Sequence, residues 1–193
     1  MPEKLQLRTS ASAAGSEQEL LDLFRSRKAD AMRLFYERYA GFLAAVCSRY
    51  IPDKDNAKDV LQESLISIFG AIDKFSYRGE GSLKAWASRI VVNTALKSLR
   101  QHGKLRLTDE FTDLCQEEEA PDLQRLPAKV LHRFIRELPD GYRTVFNLFV
   151  FEKKSHKEIA SLLGVKEDSS ASQYFRARAL LGKRIKEYLK EHE

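Results

Sequence analysis

The chain has 193 residues, 43% of them hydrophobic and 32% charged, an ordinary globular composition that excludes a disordered or fibrous protein. Lys and Arg number 33 against 28 Asp and Glu, a net charge of +5 whose distribution along the chain says more than its sum. The two cysteines, Cys47 and Cys115, stand far apart with no Cys-x-x-Cys pair, so neither a disulfide framework nor a zinc site is written here.

No apolar run approaches the roughly 18 residues of a membrane-spanning helix, and Met1 to Ser16 lack the apolar core of a signal peptide. Residues 1–15 therefore read as a loose tail on a cytoplasmic protein without membrane insertion. Ser16-Glu-Gln-Glu19 is a capping box that opens a first short helix carrying Leu20, Leu21 and Phe24. Asp30 is placed to cap a second helix, in which Phe35, Tyr39, Phe42, Val46 and Tyr50 recur at helical spacing until Pro52 stops it. A third helix follows Asp55, with Val60, Leu65, Ile68 and Ile72 inward and Asp59, Gln62 and Glu63 outward. That outward face reads by itself as an ordinary solvated one. Cys47, inside an apolar helical run, reads as a buried reduced thiol.

Ser76 to Gly81 breaks the pattern, and Ser82 is placed to cap a fourth helix that runs to about Gln101. Its inner side takes Leu83, Ala87, Ile90 and Thr94. Its other side lines up Trp86, Arg89, Asn93, Lys97 and Arg100 at steps of three or four. No acidic residue lies between Glu80 and Asp109. Cations neutralise phosphates, an amide reads base edges and an indole stacks on an exposed base, so this face fits nucleic acid. Trp86 on its own fits a cap on the core equally well.

Residues 103–127 lose periodicity and carry Asp109, Glu110, Asp113, Glu117 to Glu119 and Asp122, which reads as an acidic linker between helical domains at 16–102 and 128–193. Past Pro127 come two amphipathic helices separated by Pro139-Asp-Gly141. A second capping box, Ser155-His-Lys-Glu158, then opens a helix that Gly164 is placed to end. A short turn leads into a last helix with Ser170, Tyr174, Ala177 and Leu181 on one face. This is a helix-turn-helix pattern, whose second helix enters the DNA major groove. Its early outward residues are expected to be Ser169, Ser172, Gln173 and Arg176, with Arg178, Lys183, Arg184 and Lys186 continuing a basic side for the backbone. No phosphate loop, His-Glu-x-x-His or Gly-x-Ser-x-Gly is present and the four histidines are scattered, so neither an enzyme nor a metal or other cofactor is expected. The fold class is all-α, with two helical domains.

Four runs occur in order: Asp55-Asn-Ala-Lys-Asp59-Val-Leu-Gln62-Glu63, Tyr77-Arg78-Gly79-Glu80-Gly81-Ser82-Leu-Lys-Ala-Trp86-Ala-Ser-Arg89-Ile-Val-Val-Asn93, Leu138-Pro139-Asp-Gly-Tyr142-Arg-Thr-Val-Phe146 and Ser155-His-Lys-Glu158-Ile159-Ala160-x-x-Leu163-Gly164-Val165. Together they resemble the extracytoplasmic-function (group 4) sigma factors of the sigma-70 family. The resemblance implies a transcription initiation factor, monomeric when free, that binds core RNA polymerase and promoter DNA and is restrained by an anti-sigma factor. It implies that Asp59, Gln62 and Glu63 dock on the polymerase. It further implies that Arg78, Gly79 and Ser82 with Trp86, Arg89, Asn93, Lys97 and Arg100 serve the minus-ten element, the Arg78 loop forming a pocket for an unpaired base. The helix-turn-helix residues Ser169, Ser172, Gln173, Arg176 and Arg178 would serve the minus-thirty-five element. The chain departs from the family at Lys166, where a small cap is usual, so that Asp168 is expected to cap the last helix, and at Ala171, where a phosphate-contacting Lys is common.

Overall fold

A computed structural model describes residues 15–103 and 126–192. The expected tail apart from Gly15, most of the expected linker and Cys115 lie outside the described residues. Eight α-helices and one 3-10 turn make up the described chain: α1 (Glu17–Arg25), α2 (Ala31–Tyr50), α3 (Lys54–Ala71), the turn Ile72–Lys74, α4 (Ser82–Gln101), α5 (Ala128–Arg136), α6 (Asp140–Val150), α7 (His156–Leu163) and α8 (Glu167–Glu191). No strand occurs among the described residues, as an all-α reading requires.

The first four helices close around α2 and α4. On α2, Phe35, Tyr39, Leu43, Val46 and Tyr50 fall at steps of three and four and are all buried, so one stripe faces the core along the whole helix. Phe42, expected in that stripe, is instead partly exposed and stacks under the Lys84 ammonium at 4.2 Å. On α4 the buried set is wider than the sequence suggests: Leu83, Ala87, Val91, Val92, Thr94, Ala95, Leu96 and Leu99. A helix touched by both α2 and α3 must be apolar over more than one stripe. Cys47 is buried, its Sγ 3.4 Å from the Ala57 carbonyl, and burial pushes its thiol up to about 11.

Both capping boxes form, with Glu19 N donating to Ser16 Oγ and Glu158 N donating to Ser155 Oγ, and Gly164 ends α7 at φ 72°. Three other caps differ from expectation. Asp30 makes no cap and pairs with Arg33 instead, while α3 starts at Lys54, two residues earlier than a helix following Asp55, because Asp53 accepts from Asn56 N. Ser82 is the first residue of α4 rather than its cap, and the cap position is Gly81 at φ 89°.

The orphan donors of α4 go to a residue far away in sequence. The carboxylate of Glu17, 1% exposed, accepts from Leu83 N at 2.8 Å, Lys84 N at 3.0 Å and the Tyr39 hydroxyl at 2.9 Å. Glu80, just before α4, returns the arrangement by accepting from Glu17 N at 3.0 Å and pairing with Arg38 at 2.7 Å. Each helix start is thus closed by an acid from the other, which also fits the positive end of each helix dipole.

In the second half, α5, α6 and α8 share a core of Phe134, Ile135, Leu138, Ala177, Leu181 and Ile185. The rings of Phe149, His156 and Tyr174 stack between α6, α7 and α8. α5 and α6 also lie against the C-terminal end of α2. Because Glu17 closes three donors, two of them buried, Glu17→Ala is expected to lower unfolding stability by about 2–3 kcal/mol, whereas Glu19→Ala, in the exposed capping box, costs about 1 kcal/mol. Urea unfolding of the two variants compares them directly, and equal losses would contradict the reciprocal closure.

Candidate nucleic-acid interface

On α4 the predicted row is where helical spacing puts it. Arg89, Asn93, Lys97 and Arg100 are exposed along one face, and the helix has no acidic residue. Trp86 is half-buried, its ring 5.0 Å from that of Phe75 at an interplanar angle of 41°. It therefore packs on the core and keeps part of its surface at the edge of the row. Lys97 Nζ lies 2.9 Å from Glu63 Oε1 across to α3, and the Arg100 guanidinium donates to the Leu162 carbonyl on α7 at 3.2 Å.

The loop before α4 is fixed by its neighbours. Gly79 and Gly81 have φ of 111° and 89°, and nothing lies within 4 Å of where a Cβ would sit, so backbone conformation rather than space requires glycine at both. Arg78 is exposed, and its backbone N donates to Ser82 Oγ at 3.2 Å. Gly79 and Ser82 are half-buried. A cavity of about 300 Å³ opens beside this loop between Glu17, Arg38, Phe42, Glu80, Gly81 and Lys84. Lys84 and Asn93 are nine residues apart, which at about 100° per residue puts them on opposite sides of α4. The cavity is thus separate from the row, joined to it only through the loop.

On α3, Asp59, Gln62 and Glu63 are all exposed and share a face at i, i+3 and i+4. Ile66 continues that face and is 73% exposed, the most open large apolar side chain among the described residues. Sequence patterning could have found it, since an isoleucine three residues after Glu63 falls between the core positions Leu65 and Ile68.

The helix-turn-helix forms with the turn at Gly164 to Lys166. Two expectations about α8 are corrected. Its cap is Lys166, with no side-chain bond, and Asp168 lies inside the first turn beside Glu167. Gln173 and Arg176 do not point outward, being 2% and 6% exposed. Gln173 stands three residues after buried Ser170 and four before buried Ala177, so the helix period puts it in the packed stripe, and Arg176 follows one turn along. Arg178 is exposed, while Ser169, Ser172 and Phe175 are half-buried. His156 Nδ1 lies 3.0 Å from Ser170 Oγ, tying the start of α7 to α8.

The chain matches the family profile described as Sigma-70 region 2 over residues 35–105 and that described as Sigma-70, region 4 over residues 128–181. It is 26% identical to the RNA polymerase sigma-H factor of Pseudomonas aeruginosa over 91% of this chain and 96% of that protein. It is 27% identical to the ECF RNA polymerase sigma-E factor of Salmonella typhimurium over 88% of this chain and 94% of that protein. With RNA polymerase sigma factor SigV of Bacillus subtilis it shares 29% identity over 68% of this chain and 77% of the other. A solved structure of CnrH in complex with the cytosolic domain of CnrY is 22% identical, covers 89% of this chain and 98% of that chain, and superposes with a TM-score of 0.47.

Burial divides the α8 residues by what their loss should cost. Gln173→Ala and Arg176→Ala are expected to lower stability by about 1–3 kcal/mol, while Ser172→Ala and Arg178→Ala stay within about 0.5 kcal/mol. Thermal unfolding of the four variants tests the division.

Proposed function

The chain belongs to the sigma-70 family, in its extracytoplasmic-function group, and directs RNA polymerase to promoters; we propose that it does so with three surfaces, one on α3, one on α4 and one on the helix-turn-helix. The observation that carries this reading is the exposed row of Arg89, Asn93, Lys97 and Arg100 on an acid-free helix. Charge along α4 follows the DNA backbone, and the Asn93 amide sits among the cations where it meets a base edge. Trp86 offers its exposed edge to a stacked base at the start of the row.

An unpaired base requires a rigid receiver, because unstacking costs a few kcal/mol that contacts must return. The Arg78–Gly81 loop, held at Glu80 by α1 and α2, supplies that rigidity, with Arg78 on its outer side. Asp59, Gln62 and Glu63 form the polymerase-docking face, to which Ile66 adds an apolar contact. Acidic side chains there also repel DNA, which favours a protein partner over nucleic acid on α3.

For the minus-thirty-five element, Ser169, Ser172 and Arg178 face the groove while Gln173 and Arg176 brace α8 from within. Residues 16–102 and 128–193 act as the two reading domains, and residues 103–127 join them. The factor works in the cytoplasm without catalysing chemistry or carrying a cofactor, and a protein antagonist of anti-sigma type masks its DNA-reading surfaces.

Asn93→Ala with Lys97→Ala is expected to abolish open-complex formation on a cognate promoter while core-polymerase binding stays near normal. Lys97→Ala alone should lower the salt dependence of DNA binding by about one unit of slope in log K against log[salt]. Asp59→Ala with Gln62→Ala should do the reverse and weaken polymerase capture first. Permanganate footprinting and a core-polymerase pull-down read the two arms, and normal melting by the α4 double variant would sink the assignment.

A further inference from the structure

The first turns of α8 turn outward a face that is not the basic one its composition suggests. At about 100° per residue, Asp168, Ala171, Phe175 and Arg178 fall within one stripe, all of them exposed except Phe175, which is half-buried. On the opposite side Ser170, Gln173 and Ala177 are buried, so this stripe is the outer one. The two residues that suit bidentate pairing with adenine or guanine, Gln173 and Arg176, are 2% and 6% exposed and lie outside it. The centre of the outer stripe is apolar: the Ala171 methyl and, one turn further on, the Phe175 ring.

Phe175 also stands apart from the packing of its own helix. The other large apolar residues of α8, Tyr174, Leu180, Leu181, Ile185, Tyr188 and Leu189, each pack into one of the two apolar clusters. Among the described residues Phe175 packs into neither. Its neighbour Tyr174 lies against the rings of Phe146, Phe149 and His156, which fixes the inner side of α8 and leaves the Phe175 ring on the other. The fold therefore gives no reason for an aromatic side chain at this position, and a half-exposed ring without a core to join calls for a partner outside the domain.

We propose that Ala171 and Phe175 read thymine methyl groups in the major groove of the minus-thirty-five element, so that this element is chosen through A·T pairs at neighbouring positions. The inference rests on the helix-turn-helix being the reader of that element. Its physical basis is the chemistry of the base edges. Thymine alone offers a methyl group in the major groove, and alanine and phenylalanine are side chains that meet it. The same side chains set against polar edges would desolvate them with nothing in return. Ala171 and Phe175 stand about 6 Å apart along the helix axis, four residues at 1.5 Å each, which is close to two base-pair steps of about 3.4 Å. Glu167 and Asp168, exposed in the first turn, repel phosphate and turn the start of α8 toward the base edges, while Arg178 at the other end of the stripe takes the backbone.

The test removes the methyl groups and nothing else. Holoenzyme assembled from the full chain and core polymerase first selects bound duplexes from a random DNA library long enough to hold both promoter elements. The selected duplex is then resynthesised with deoxyuridine for thymidine in the minus-thirty-five element alone, which keeps base pairing and every polar atom of the groove. Binding by the wild-type holoenzyme should fall about fourfold for each methyl read, the factor that burying one such group gives. Phe175→Ala should bind the thymidine duplex more weakly and lose its share of that penalty, whereas Phe175→Leu, which keeps an apolar contact, should retain it. Both variants should melt close to the wild-type temperature, which a core role for Phe175 would not allow. Equal binding of the two duplexes by wild type, a penalty unchanged in Phe175→Ala, or a selected element with no thymine on either strand overturns the inference while promoter reading by the helix-turn-helix stands. A selection that returns a minus-ten element and no second element upstream overturns both.

Discussion

Helix ends govern this molecule. An α-helix leaves its first N–H groups and last C=O groups without partners, and in a chain built of eight described helices that demand must be met many times over. Local residues meet it at α1, α3 and α7. At three functionally placed ends it is met from elsewhere in the chain: Glu17 closes the start of α4, side chains of α6 close the end of α2, and Arg100 supplies the end of α7. Each long-range cap fixes one helix relative to another more sharply than apolar packing, which tolerates sliding, could do.

The consequences differ with the chemistry of the cap. Glu17 and Glu80 form a buried, reciprocal and charge-assisted arrangement inside one helical unit, so the loop at Arg78 to Gly81 and the row on α4 keep a constant geometry. That is what a receiver of unstacked bases requires. The caps across the two halves are single hydrogen bonds to carbonyls, with an ion pair and a ring contact at the rim. Beneath them Val145, Leu148 and Ile159 join the apolar cluster of α2 and α4, so the contact between the halves is apolar as well as hydrogen-bonded. The same backbone requirement is thus answered in two ways, by a buried carboxylate inside one helical unit and by neutral carbonyls between units.

Much of this was legible in the sequence, and the boundary is physical. Contacts spanning three or four residues were readable: both capping boxes, the glycine that ends α7, the buried period of α2 and the outward row on α4. So was the family pattern. Contacts set by tertiary placement were not. The capping box gives Glu19 a local role, but nothing local announces that Glu17 is buried under three donors from α2 and α4. Ser82 looked like a cap because the residue type suits one, but Gly81 takes the position and a distant carboxylate the duty. Gln173 and Arg176 looked outward because they are polar. The period through Ser170 and Ala177 puts Gln173 inward, and helical period outweighs side-chain polarity in deciding which way it points.

The account stands on one helix face, the exposed row of Arg89, Asn93, Lys97 and Arg100 on acid-free α4, meeting separated DNA strands. The direct measurement is photo-crosslinking from a benzophenone attached at Ala85→Cys, exposed one turn before Arg89, with the native cysteines replaced, in the complex of core polymerase with a cognate promoter. The label should land on unpaired bases of the minus-ten element. A label confined to polymerase, or none on promoter DNA, would contradict the account.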